Sequence, residues 1–461
     1  MHTPRFRRIH FEVVASVAAC LLSTSALAQP CTPGWQPGTV GTNYYVYAAA
    51  EWDPDGAGPQ SGGLVLGGGL QVFSASANGL VFWDGASYSG FGNKPGVVRA
   101  VAVMPDGDLV VAGDFAPIDS VPGTNLIARW DIATNTWTSV GGGVGTGTSV
   151  ESLAVLSDGR LAAVGRFTTI GSATAMGVAV WDGTSWMGLG TGLDCYPPLS
   201  QGDVHVKCVV ALPNGEFAIG GFFERAGGNG VYHVARWTGS GWAPMGTGFP
   251  SLPNDGILAF GVTTLAVAPG SGGPRVIAGV AYTQAPTYPI LHGSVAQWNG
   301  STWDWLGGGY GNQFTGGLYS STLQSDGTVY VGGYLAAFNH LAKWNGSYWS
   351  SVAGGFDGSV YALHVRPDQE VIAGGTFQSA GGQPVPYWAR LGGCPVCDST
   401  DFNGDGLYPD TADIDDFLSV FSGGPCSTGT CADIDYNNDG LFPDTTDIDS
   451  LLSVFSGGVC G

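Results

Sequence analysis

The sequence predicts an all-β fold, a seven-bladed β-propeller, with a small α-helical calcium-binding domain at the C-terminus. Three observations carry this. A tryptophan that ends an apolar strand recurs at Trp83, Trp130, Trp181, Trp237, Trp298, Trp344 and Trp388, at intervals of 44 to 61 residues, the range of propeller-blade repeats. A second aromatic follows most copies, at Tyr88, Trp137, Trp186, Trp242, Trp303 and Trp349. Glycine is abundant (78 of 461 residues) and lysine rare, a composition of many short strands joined by tight turns. A fixed period of this length means one supersecondary unit repeated, none of which buries its apolar face alone.

Taken in order, the chain opens with a secretion signal. Arg5, Arg7 and Arg8 form a basic start, residues 13–22 an apolar run, and Ala26-Leu27-Ala28 a small-residue cleavage motif. Residues 1–28 are expected to be removed. The alternative, lipoprotein processing at Cys20, has only a short, interrupted apolar run before it. No later run approaches the ~20 apolar residues of a membrane helix. Cleavage lowers Lys+Arg from 15 to 12 and Asp+Glu from 36 to 35, so the mature chain carries about −23. That charge disfavours nucleic acid and anionic membranes as partners. Eight cysteines remain, Cys31, Cys195, Cys208, Cys394, Cys397, Cys426, Cys431 and Cys460. An even number behind a signal reads as disulfides made in an oxidising compartment.

The unit from Val98 shows how each blade is specified. Ala100-Val101-Ala102-Val103 reads as a strand, Pro105-Asp106-Gly107 as a turn, and Leu109-Val110-Val111-Ala112 as a second strand closed by Gly113. A variable loop, the strand Ile127-Ala128-Arg129-Trp130 and a fourth strand around Trp137 complete a four-stranded blade. The turn recurs at Asp158, Asn214, Asp326 and Asp368, and the closing glycines at Gly67-Gly68, Gly165, Gly220-Gly221, Gly279, Gly332-Gly333 and Gly374-Gly375. The last unit lacks a fourth strand, and the segment around Trp35 has the pattern of one. That segment is expected to close the ring and remove an exposed edge. Cys31 and Cys394 would then latch the closure, worth roughly 5 kcal/mol in the chain-entropy account. The propeller is expected to span 29–394, with a local disulfide joining Cys195 and Cys208 across an inserted loop.

Strands that end in a glycine pair and are followed by spaced aromatics resemble kelch-type propellers, including the central domain of galactose oxidase. The resemblance implies a fold and no particular chemistry. No catalytic constellation stands out in these units. His205, His233, His292, His340 and His364 lie in different units without metal-ligand spacing, and read as structural. Turn chemistry accounts for Asp106, Asp158, Asp326 and Asp368, and packing between blades for most tryptophan pairs. Asp114, Glu224 and Arg225 sit in the variable loops where blades carry function. No catalytic or cofactor-binding residue is assigned.

The segment 395–461 is a tandem with a 34-residue offset. Asp401, Asn403, Asp405 and Gly406 map to Asp435, Asn437, Asp439 and Gly440. Each copy reads Asp-x-Asn-x-Asp-Gly, the first half of an EF-hand-type calcium loop, and Leu407 and Leu441 offer the backbone carbonyl of the seventh position. A short amphipathic helix follows each loop, with Ile414, Phe417, Leu418 and Phe421 on one face of the first and a stop at Gly423-Gly424. A duplicated calcium loop plus helix resembles dockerin modules, which dock enzymes onto cohesins. Relative to that family each loop is four residues longer, so Asp413 and Asp416 take the closing ligand positions of loop one. Loop two has Asp447 but Ser450 in last place, and its site is expected to be the weaker of two. The positions dockerins use for partner choice hold Ile414-Asp415 and Ile448-Asp449. The cysteines allow Cys397–Cys426 with Cys431–Cys460, or Cys397–Cys460 with Cys426–Cys431.

These readings point to a secreted, calcium-binding, non-catalytic protein. Its propeller would bind a glycan or protein, and its C-terminal module would attach it to a cohesin-like or other envelope protein. A carbohydrate-active hydrolase, lyase or oxidase on the same scaffold and a purely structural surface protein are the alternatives.

Overall fold

The computed structural model describes residues 34–37, 44–56, 62–72, 77–92, 96–195, 204–250, 257–268, 275–284, 291–308, 314–385, 387–392, 402–403, 411–428 and 445–455. They fall into two compact units, Gly34–Gly392 and one that holds the C-terminal residues.

In the first unit, seven sheets of the described residues repeat one plan: four antiparallel strands hydrogen-bonded in chain order. Sheet 2 shows it plainly, as Val97–Val103, Leu109–Asp114, Ile127–Asp131 and Thr136–Thr138. The first strands of sheets 1 to 7 are Val46–Trp52, Val97–Val103, Val144–Val155, His205–Ala211, Ile257–Ala268, Leu318–Leu323 and Val360–Val365. Each neighbours the next, and the seventh returns to the first. They therefore form the inner wall of a ring. Sheet 7 takes its outer strand from the other end of the unit: Trp35–Pro37 pairs with Trp388–Leu391, Trp35 opposite Leu391. Cys31 and Cys394 lie outside the described residues.

The core is divided into seven slices, each filled by apolar side chains of two consecutive sheets. Trp52, Val65 and Phe82 of sheet 1 meet Val98, Val111 and Trp130 of sheet 2. The same holds round the ring to Ile372 and Trp388 of sheet 7, which meet Val46 and Leu66 of sheet 1. This arrangement overturns the expected Cys195–Cys208 disulfide. Cys195 is buried in the slice between sheets 3 and 4, and Cys208 in the slice between sheets 4 and 5. They face opposite sides of sheet 4 and are not joined; the Cys208 thiol lies 3.6 Å from the Gly220 carbonyl.

The outer tryptophans bind the slices together. The indole N–H of Trp137 donates to the Phe91 carbonyl at 3.0 Å, Trp186 to Val140 at 2.8 Å and Trp242 to Leu189 at 3.2 Å. Trp303 reaches Met245 at 2.9 Å, Trp349 reaches Leu306 at 2.8 Å, and Trp35 reaches Val352 at 3.3 Å. Every acceptor lies one or two residues past the outer strand of the preceding sheet. At the seventh junction, Trp388 donates instead to the Tyr88 hydroxyl at 2.9 Å. Buried indole N–H groups need such partners, and here each partner lies one sheet away.

The C-terminal unit holds two helices, α1 (Thr411–Phe421) and α2 (Thr445–Phe455). Phe417 of α1, Leu451 of α2 and the loop residue Phe402 form its small core. Gly423, at φ 83°, ends α1 in a left-handed turn, and the N–H of Gly424 closes onto the Ser419 carbonyl at 2.7 Å. Leu418, expected on the apolar face, is 45% exposed, as is its counterpart Leu452 at 47%. Among the described residues, Phe402 and the facing helix cover the stripe and leave its flank exposed.

Candidate functional site

In every sheet the first strand skips one residue in its pairing with the second at the same place. The skips fall between Val46 and Ala48, Val98 and Ala100, Val150 and Ser152, and Val206 and Cys208. They recur between Val262 and Thr264, Leu318 and Ser320, and Val360 and Ala362. The bulge explains the glycine that closes the second strand in six of the seven sheets, where sheet 5 has Val280: a Cβ at Gly375 would lie 2.0 Å from the Ser359 carbonyl oxygen. It also re-aims one side chain per sheet. The seven bulged residues are Tyr47, Arg99, Glu151, Lys207, Thr263, Tyr319 and Tyr361, and they lie on the inner strands near the variable loops.

Five consecutive pairs of these residues touch. The Arg99 guanidinium lies over the Tyr47 ring, 5.7 Å from its centroid, and 3.9 Å from Glu151. The Lys207 ammonium is 3.7 Å from the same Glu151 oxygen. Tyr319 stacks on Tyr361 at 4.9 Å and 9°, and Tyr361 meets Tyr47 edge-on at 5.2 Å. Thr263 donates to the Gly279 carbonyl at 3.2 Å. One arc is therefore charged and the other aromatic. Tyr45, 42% exposed, extends the aromatic arc from Tyr47 to Tyr387.

Glu151 is the hub of the charged arc. Its side chain is 11% exposed and accepts from Ser149 at 2.8 Å, with His205 Nε2 at 3.0 Å. Burial alone would raise its pKa. The His205 hydrogen bond, the Lys207 charge, Ser149 and Arg99 outweigh that and hold it at about 2. At neutral pH it is a fixed anion and hydrogen-bond acceptor, with its proton long gone. Burial and the neighbouring Tyr361 ring push the Tyr47 hydroxyl upward, so it remains a neutral donor.

Of the sequence candidates, Asp114 belongs to this site: its carboxylate takes Arg99 Nε at 2.8 Å and Nη2 at 2.6 Å. Arg225 pairs with Asp194 in a small sheet built from the loops, and the Glu224 backbone N–H donates to the Asp194 carbonyl at 2.9 Å. The turn aspartates behave as turn residues. Asp106, Asp158, Asp326 and Asp368 each accept the backbone N–H two residues on, at 2.7 to 3.3 Å. His233 and His364 are structural, and burial pushes both down to about 4. His205 reads as structural in the sequence, yet it buttresses Glu151. The bulged residues escape sequence reasoning because they share no residue type. Their signal is the reverse: a variable residue after a constant Val or Leu at each inner-strand start.

In the C-terminal unit, Asn403, Asp413 and Asp416 come together and all are buried. The Asn403 N–H donates to Asp413 Oδ1 at 3.3 Å and its amide to Asp416 Oδ2 at 3.1 Å. Asp416 also accepts from the Ser427 N–H at 2.8 Å and hydroxyl at 2.5 Å, bonds that lower its pKa. Asp401, Asp405, Leu407, Asp435, Asn437, Asp439 and Leu441 lie outside the described residues, as does the side chain of Asp447. Among the described residues no group of three or more His, Cys, Asp or Glu forms a metal cage. Cys426 is disulfide-bonded.

No protein family matches the chain, and no curated protein does. Solved structures do. The chain is similar to the extracellular domain of a hybrid two-component system from B. thetaiotaomicron, with a TM-score of 0.50, 10% identity, and coverage of 81% of this chain and 42% of that one. It is also similar to an ancestral GH74 enzyme (TM-score 0.49, 17% identity, 78% and 48% covered). A GH74 xyloglucanase from Xanthomonas campestris follows (TM-score 0.46, 14% identity, 75% and 52% covered). The chain thus spans about half the length of these structures. At such identities the likeness speaks to fold alone, and with the repeated four-stranded sheets it makes the Gly34–Gly392 unit a β-propeller.

Proposed function

We propose that this chain is a secreted, kelch-type, seven-bladed propeller that binds a glycan or protein ligand without catalysis. The ring of bulged residues would be its binding surface. The carrying observation is that one equivalent position in all seven sheets is turned inward and filled with an aromatic arc facing a charged arc. Tyrosine faces can stack on sugar rings or apolar side chains, while Glu151, Arg99, Lys207 and the tyrosine hydroxyls offer directional hydrogen bonds. Glu151 is unsuited to the proton-donor role of a glycosidase, which needs a raised pKa. Export is supported by the disulfide at Cys426, since such bonds persist in oxidising compartments. Among the described residues no helix is long and apolar enough to cross a membrane.

The C-terminal unit is proposed to hold calcium and, as a dockerin-like module, to attach the protein to a cohesin-like or other partner at the cell envelope. Support comes from Asn403, Asp413 and Asp416: hard oxygen donors brought together in a region with no Lys or Arg after Arg390 to balance them. Asp401, Asp405 and the Leu407 carbonyl would complete loop one, and the second loop would hold its ion through Asp435, Asn437, Asp439, Leu441 and Asp447.

The test is a glycan and protein binding screen on the mature chain beside Glu151→Gln and Tyr361→Ala. Loss of at least tenfold in affinity in both variants is expected for the ligand that binds. Unchanged affinity in both would place the binding surface elsewhere.

A further inference from the structure

Sheet 5 breaks the repeat with an extra aromatic, which packs in part against the core between sheets 4 and 5. Two residues past the outer aromatic, the other sheets carry Gly90, Ser139, Gly188, Pro244, Ser351 and Pro37, whereas sheet 5 carries Trp305. Trp303 and Trp305 stand at the two ends of the edge strand Trp303–Trp305, both half-buried. Phe249 packs against both, 5.0 Å from the Trp303 ring at 48° and 5.5 Å from the Trp305 ring at 58°. With Thr247, Ser301 and Thr302 these rings line a cavity of about 370 Å³ that, among the described residues, no charged side chain lines.

We infer that this cleft is a subsite for a neutral saccharide. Its volume matches roughly one to two pyranose rings, at the small end of ligand pockets. The aromatic planes supply the apolar platform that the C–H face of a sugar with equatorial hydroxyls stacks on. Three hydroxyl side chains around that platform match the ring hydroxyls. The described lining offers hydroxyls and aromatic faces and no charged partner for an ionic ligand. The Trp303 N–H bond to Met245 fixes that ring beforehand, so little side-chain freedom is lost on binding. None of the seven bulged residues lines the cleft, so its ligand is independent of theirs.

The test is calorimetry and tryptophan fluorescence on the full mature chain with cellotetraose, mannotetraose and N-acetylchitotetraose as probes. The variants are Trp305→Ser, which installs the residue sheet 6 carries at this position, and Glu151→Gln in the ring. At least one probe is expected to bind with a Kd of about 0.1–1 mM and to weaken tenfold or more in Trp305→Ser. Should Trp305→Ser melt early, Trp305→Phe, which keeps a smaller aromatic face, is expected to give an intermediate loss. Absence of binding by wild type for all three probes at about 10 mM would overturn the inference. So would equal affinity in wild type and a folded Trp305 variant. Binding lost in Glu151→Gln but kept in Trp305→Ser would move the saccharide to the ring and empty the cleft of its role.

Discussion

At the residue scale, a glycine and the bulge it permits decide where function can sit. A Cβ at Gly375 has no room beside the Ser359 carbonyl, while one at Gly69 meets nothing within 4 Å. Gly375→Ala is therefore expected to destabilise by about 2–4 kcal/mol and Gly69→Ala by less than about 1 kcal/mol, read by urea melts. Glu151 is a second such residue. Its folded pKa, about 2, lies below its ordinary value of 4.5. Its stabilisation is then complete above pH 4.5 and lost as pH falls towards 2. Wild type and Glu151→Gln should differ by about 1–3 kcal/mol at pH 6, and their melts should converge on approach to pH 2.

At the element scale, the outer strands act through one hydrogen bond each. Trp186 is buried in its slice and donates to Val140 of the neighbouring sheet. Trp186→Phe keeps most of the apolar area but removes the indole donor and leaves that carbonyl the Gly143 N–H at 3.2 Å. A loss of about 1–2 kcal/mol is expected from the unmade bond and the smaller ring, measured by chemical denaturation. In the C-terminal unit, α1 brings Asp413 and Asp416 onto one side three residues apart, beside Asn403. Calcium titration of the mature chain should show two binding events, the second weaker. Asp401→Ala should remove the first and Asp435→Ala the second; no heat in wild type would leave an acidic, disulfide-bonded segment in place of a calcium module.

At the scale of the propeller unit, stability rests on seven junctions, one of which joins the two ends of the unit through Trp35–Pro37. Acid should loosen it through buried histidines. His233 and His364 have folded pKa values near 4, against an ordinary 6.5. Both stay neutral in the fold while the unfolded chain takes up protons from pH 6.5 downward. Stability is therefore full above pH 6.5 and lost as pH falls through 4, by roughly 3 kcal/mol per histidine at most. Urea midpoints measured from pH 7 to 4 should fall over that window, and a flat profile would contradict this account.

The repeat was legible in the sequence because its causes are local. Gly, Asn and Asp mark turns, β-branched runs mark strands, and the tryptophans recur wherever one sheet must bind the previous one. Even the borrowed strand at Trp35 shows as a fourth strand missing at the other end. What the sequence by itself determined is therefore the unit, its period and the phased Asp and Asn residues of the C-terminal tandem. Only the tertiary structure decided which residues meet. Tyr47, Arg99, Glu151, Lys207, Thr263, Tyr319 and Tyr361 share no chemistry and are far apart in the chain. A backbone bulge repeated in seven sheets and a closed ring turn them towards one another. The same geometry separates Cys195 from Cys208, which are close in sequence, because sheet 4 stands between the two cores that hold them.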